Sequence, residues 1–89
     1  MKIKEGFVKQ QIGDKTIVVS AGNLSKEFHG MIELNYTAAD IWDWISAGYT
    51  CEEVAELLAR KYNIEISKAQ LDTEKIINKM ISAGVVEND

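Results

Sequence analysis

The spacing of apolar residues in this 89-residue chain changes once, near residue 35, from a period of about two to about 3.6. No other feature limits the fold as strongly. It divides the chain into an extended first third and a helical remainder, which is the pattern of an α+β domain. Phe7 to Ile12 and Thr16 to Ser20 are short strand-like runs, with Gly13-Asp14-Lys15 as the tight turn between them. A polar loop from Ala21 to Gly30 follows, with Gly22-Asn23 as its turn signal. Met31-Ile32-Glu33-Leu34 then reads as a third strand, and three strands in succession most simply form an antiparallel meander.

Three helices announce themselves by their ends. Asn35 is placed as an N-cap, followed by an apolar stripe of Ala38, Ile41, Trp42 and Ile45 that stops at Gly48. Thr50-Cys51-Glu52-Glu53 has the form of a capping box, with Tyr49 and Val54 as its staple. Val54, Leu57, Leu58 and Tyr62 carry the second stripe. Ser67-Lys68-Ala69-Gln70 has the same box form, with Ile66 and Leu71 as staple residues. Ala69, Thr73, Ile76, Ile77, Met80 and Ile81 make the third stripe, closed by Gly84, and Val85 and Val86 are expected to pack the tail down. The expectation is a single domain over 1–89. Its fold would be winged helix-turn-helix-like, a three-stranded antiparallel N-terminal sheet followed by three helices.

Composition narrows function by exclusion. One cysteine allows no internal disulfide and points to the reducing cytosol. No run approaches the roughly 20 apolar residues of a membrane span, and the Met1-Lys2-Ile3-Lys4 start leads into no signal-peptide core. One histidine, His29, and one cysteine, Cys51, cannot build the usual four-ligand zinc site. No Gly-rich phosphate loop or His-Glu-x-x-His pattern is present. Cys51 falls in a first helical turn, where a thiol's pKa drops, but no base is placed beside it by sequence, so it reads as a small packed side chain. Glu52, Glu53 and Glu56 read as a dipole-matched helix start rather than an acid–base pair. No cofactor and no catalytic residue is assigned.

The winged-helix outline raises a DNA-binding regulator as the alternative. Charge weighs against it. The third helix sets Lys68, Lys75 and Lys79 against Asp72 and Glu74, and from Asn35 onward ten acidic and five basic residues leave a balance of −5. Two apolar residues sit off their stripes. Trp44 reads as a cap on the edge of the core, and Leu71 as either a staple residue or part of an apolar groove beside the third helix.

The run Leu34-Asn35-Tyr36-Thr37-Ala38-Ala39-Asp40-Ile41-Trp42 resembles the L-N-x-T-A-x-x-I-W signature of the PqqD family. Gly48, Thr50, Glu53-Val54-Ala55 and Tyr62 follow in order. Asp72-Thr73, Ile76-Ile77, Met80 and Ala83-Gly84-Val85-Val86 are similar to that family's closing pattern, with Thr73 and Ile76 standing where it has Val and Phe. The resemblance runs from about residue 5 to residue 87.

What the resemblance implies is a RiPP recognition element, a non-catalytic module that binds the leader segment of a ribosomally made precursor peptide and presents it to a modifying enzyme. The enzyme is expected to be a separate polypeptide, such as a radical SAM protein or a leader peptidase, with no part for nucleic acid or membrane. In the family the leader adds as a strand to the third β-strand and packs on the third helix. Carried onto this chain, the peptide-binding residues are Gly30, Met31, Ile32, Glu33 and Leu34 on the strand and Lys68, Leu71, Asp72, Lys75, Ile76 and Lys79 on the helix. Two flanks of that helix satisfy the sequence equally, Leu71-Glu74-Asn78-Ile81 and Asp72-Ile76-Lys79. Two alternating amide sets do so as well, Met31 with Glu33 or Ile32 with Leu34. A monomer is expected at low concentration, with edge pairing between copies as the route to dimers.

Overall fold

The computed structural model describes residues 1–20 and 31–87. The loop read over Ala21 to Gly30, with its Gly22-Asn23 turn, His29 and Gly30, lies outside the described residues. In chain order the elements are β1 (Lys2–Ile3), β2 (Phe7–Ile12), β3 (Lys15–Ser20), β4 (Met31–Leu34), α1 (Tyr36–Ser46), α2 (Cys51–Tyr62), α3 (Ile66–Ser82) and β5 (Val86–Glu87).

β2, β3 and β4 form an antiparallel sheet in that order, and β1 pairs antiparallel with β5 in a second, two-stranded sheet. The sheet is therefore not confined to the start of the chain, as the sequence reading had it. Lys2 pairs with Glu87 and Ile3 with Val86, and the Lys4 amide donates to the Val85 carbonyl at 2.9 Å. The β2–β3 loop is also one residue shorter than expected. Ile12 pairs with Lys15, so only Gly13 and Asp14 turn the chain. Gly13 has φ +64°, the positive value that a two-residue II′ hairpin needs at its first central position.

Helix ends follow their caps in two cases and depart in the third. The Ala38 amide donates to Asn35 Oδ1 at 2.8 Å, and Thr50 and Glu53 exchange both capping-box bonds. α1 and α3 both close with a Schellman pair. Tyr49 N–H donates to the Trp44 carbonyl and Gly48 N–H to Ile45; Val85 N–H donates to Met80 and Gly84 N–H to Ile81. α3, however, starts at Ile66 with Glu65 at its N-cap and no side-chain cap bond. Ser67 is thus already helical, so the second capping box does not form. Its supposed staple residues, Ile66 and Leu71, are both exposed.

The core is where the stripes converge. Ala38, Ile41, Trp42 and Ile45 of α1 meet Val54 and Leu58 of α2 and Ala69, Ile77 and Met80 of α3. Val18 and Leu34 close it from the sheet, and Val85 and Val86 from the tail. Trp44 is half-buried against this cluster. Tyr62, read as part of the second stripe, instead remains partly exposed and donates its hydroxyl to Asp40, which also accepts from Lys61. That bond to the carboxylate pushes the Tyr62 phenol above its ordinary pKa.

Thr73 is fully buried, and its Oγ1 has no hydrogen-bond partner among the described residues. An unpaired buried hydroxyl costs about 1–3 kcal/mol. Thr73→Val keeps the shape and removes that cost, so we expect a higher Tm in thermal unfolding followed by circular dichroism. For a domain of this size each kcal/mol is worth roughly 4–8 °C. A Tm unchanged or lowered would show that the hydroxyl is satisfied in solution.

Candidate functional site

β4 is an edge of the three-stranded sheet, and its unpaired backbone groups follow from hairpin geometry. In an antiparallel ladder, residues alternate between pairs that exchange hydrogen bonds and pairs that do not. With a two-residue loop, Ile12 and Lys15 must be a bonded pair, because the next pair inward would be the adjacent Gly13 and Asp14. Counting along the continuous β2–β3 register, Lys15, Ile17 and Val19 point their backbone groups at β2. Thr16 and Val18 therefore point theirs at β4, where they face Leu34 and Ile32. The groups of Met31 and Glu33 are left aimed at the open side. Of the two alternating sets, the geometry selects this one.

The open edge borders a groove of about 410 Å³ between β4 and α3. The strand wall is Ile32, Glu33 and Leu34, and the helix wall is Ile76, Lys79 and Ala83. Val18, Trp42, Met80 and Val85 make an apolar floor. A shallower cleft of about 240 Å³ adjoins it at the start of α1, between Asn35 and Thr37 on one side and Asp72, Lys75, Ile76 and Lys79 on the other. Asn35 lines both clefts: it directly follows β4 and is itself the N-cap of α1.

α3 thus turns its Asp72-Ile76-Lys79 flank to the strand. Lys68 and Leu71 line neither cleft. Lys68 precedes Ile76 by two helical turns, about 12 Å at 1.5 Å per residue, which carries it past the groove. Leu71 is 64% exposed, on the flank shared with Glu74. Glu74 lies close enough to Cys51 for its charge to act on the thiol. Met31 is placed by its backbone in β4, and Gly30 is outside the described residues. The sequence reading missed Val18, Trp42, Met80 and Val85 as groove residues because it placed those it named in the core. Each is core on one side and groove floor on the other, and apolar periodicity registers only burial.

Lys75 and Lys79 are exposed and take part in no ion pair among the described residues. The groove therefore offers hydrogen-bonding backbone on one wall, apolar surface below and free cations on the other wall. Cys51 is remote from this chemistry in kind: burial first, then the charges of Glu74 and Glu52, push its thiol up, opposite to the shift that makes a nucleophile. Among the described residues no group of three or more His, Cys, Asp and Glu side chains could hold a metal ion. Among the described residues no helix is long and apolar enough to cross a membrane.

Two solved structures share this fold along their whole length. TbiB1 in complex with the TbiA(beta) leader peptide has a TM-score of 0.82 at 17% identity, covering 100% of this chain and 98% of that one. Lasso peptide synthetase B1 complexed with the leader peptide has a TM-score of 0.81 at 18% identity, covering 98% of this chain and 96% of that one. No curated protein sequence matches. The family model of coenzyme PQQ synthesis protein D (PqqD) matches residues 16–86, from the second hairpin strand through the closing tail, and the chain belongs to the PqqD family.

Proposed function

We propose that this protein is a RiPP recognition element that binds the leader segment of a ribosomally made precursor peptide by strand addition to β4. The observation that carries the reading is the coincidence of an open strand edge, with Met31 and Glu33 backbone groups facing outward, and an apolar groove directly beside it. Family membership and the likeness to two proteins solved with leader peptides support it. Leader residues opposite Ile32 and Leu34 would share their face of the sheet and enter the groove, while the residue between them would lie over Glu33 on the other face.

In this reading 1–89 acts as a single winged-helix-like domain in the cytoplasm, monomeric when dilute. It does no chemistry itself. It holds the leader in extended form and so raises the precursor's effective concentration at a modifying enzyme, a radical SAM protein or a leader peptidase. Asp72, Lys75, Ile76 and Lys79 meet the peptide from the helix side, and Met31 to Leu34 from the strand side.

The test is titration of the labelled amides with a synthetic leader segment of a candidate precursor peptide. Shifts should concentrate at 31–34 and at Ile76 and Lys79, with new exchange protection at Met31 and Glu33. Saturable binding that leaves those amides unprotected would move the site elsewhere. Selective binding of duplex DNA at moderate salt, with no leader binding, would favour the regulator reading instead.

A further inference from the structure

Among the described residues the sheet has a second open edge, and the proposed leader site does not use it. β2 is six residues long, contains no proline and carries one charge, Lys9, so it lacks most devices that keep sheet edges apart. The parity that sends Met31 and Glu33 outward on β4 sends Lys9 and Gln11 outward on β2, because Val8, Gln10 and Ile12 bond to β3. Neither outward amide donates to any other group among the described residues. The side chains of Val8, Gln10 and Ile12 share the face turned away from the helices, since Lys9 on the opposite face pairs with Asp43 of α1. On that outer face Val8 is 43% and Ile12 58% exposed.

We propose that the β2 edge is a self-association surface whose partner is β2 of a second copy of this chain, antiparallel about a two-fold axis through Gln10. Hydrogen-bonded pairs across such an axis must join outward residues to outward residues, which leaves few registers. Centring on Lys9 sets two ammonium groups face to face. Centring on Val8 sets Ile12 opposite Lys4, outside the strand, and centring on Gln11 sets Ile12 opposite Gln10 and Val8 opposite the turn residue Asp14. Centring on Gln10 pairs Lys9 with Gln11 of the second copy twice, through their free backbone groups. It also sets each Val8 against Ile12 of the other copy, in the close pairs where side chains touch most. The order apolar, polar, Gln10, polar, apolar over 8–12 is its own reverse, and a foreign strand would not require that symmetry.

The result is one six-stranded sheet with the two β4 edges at its far ends, each free for its own ligand. One five-residue strand pairing buries well under the roughly 1,000 Å² of a stable interface, so the dimer forms only as protein concentration approaches about 1 mM or when chains are held together.

Cysteine cross-linking reads the register directly. Residues opposite each other in a non-bonded antiparallel pair have Cα atoms about 4.5 Å apart, within disulfide reach. In a Cys51→Ser background, Gln10→Cys should oxidise to a covalent dimer, and Gln11→Cys, offset from its own copy by two residues along the strand, should not. Wild-type protein should show a rising sedimentation coefficient toward about 1 mM, whether or not it carries a saturating leader peptide. Gln10→Lys, which places like charges on the axis, should stay monomeric throughout. Cross-linking at position 11 instead of 10, no cross-link at either, or a wild-type chain monomeric at about 1 mM overturns the proposal. Capture of the modifying enzyme by Gln10→Cys in preference to a second copy would overturn it too, and would assign the edge to that enzyme.

Discussion

Glu33→Pro should abolish most leader binding in a protein that stays folded, whereas Ile32→Pro, one residue away, should unfold it. The backbone groups of Glu33 point to the open side of β4 and those of Ile32 bond to Val18 of β3. Proline removes one N–H and fixes φ near a value an edge strand tolerates. At position 33 the lost donor belongs only to the bound state. The leader carbonyl that would have accepted it is left buried without a partner, a cost of about 1–3 kcal/mol, or roughly 5- to 150-fold in affinity. At position 32 proline breaks the internal ladder and also deletes a side chain packed on the core. We expect a loss of about 3 kcal/mol or more, against a total of about 4–13 kcal/mol for a chain of this length. Circular dichroism and titration calorimetry separate the two effects. Glu33→Ala, which keeps the amide, should bind nearly as wild type. If Glu33→Pro folds and binds the leader with unchanged affinity, strand addition at β4 is wrong.

That prediction rests on a parity the sequence nearly contains. Gly13-Asp14 is a two-residue turn signal, and a two-residue loop decides which residues of β3 turn their backbone groups to β4; the β3–β4 register then decides which amides of β4 face outward. Reading the turn as Gly13-Asp14-Lys15 lost the parity, because one residue of slip exchanges the two sets. Elements with their own punctuation were legible: Asn35, the Thr50–Glu53 box, Gly48 and Gly84 each end or begin a helix where they predict. Pairing between distant segments was not. β1 and β5 are two residues each, too short for any period, and their pairing exists only because the helices bring the two ends together. The facing of α3 was hidden for a different reason. Ile76 and Ile81 lie on opposite flanks of its buried stripe and both are half-buried, so hydrophobic pattern alone gives the helix no unique rotation. Only the packed sheet breaks the tie.

The consequence of that rotation is a large difference between two apolar residues on the two candidate flanks of α3. Ile76→Asp should cost the protein most of its leader affinity, and Leu71→Asp almost none. Ile76 lines both clefts and is half-buried before any ligand arrives. A leader side chain seated in the groove would cover the rest of it. Covering the remaining half of an aliphatic side chain of this size is worth about 0.8–1.5 kcal/mol, and a carboxylate at the same place must also lose water beneath an apolar ligand. Together these predict at least about a 10- to 100-fold weaker complex. The fold should survive, because Ile77 and Met80, not Ile76, carry the fully packed face of α3. Leu71 is 64% exposed and borders neither cleft, so aspartate there changes only helix propensity, by about 0.5 kcal/mol. Leader titration of the two variants beside wild type decides the matter. Equal affinities, or a larger loss at Leu71, would place the peptide on the other flank of α3, away from the β4 edge.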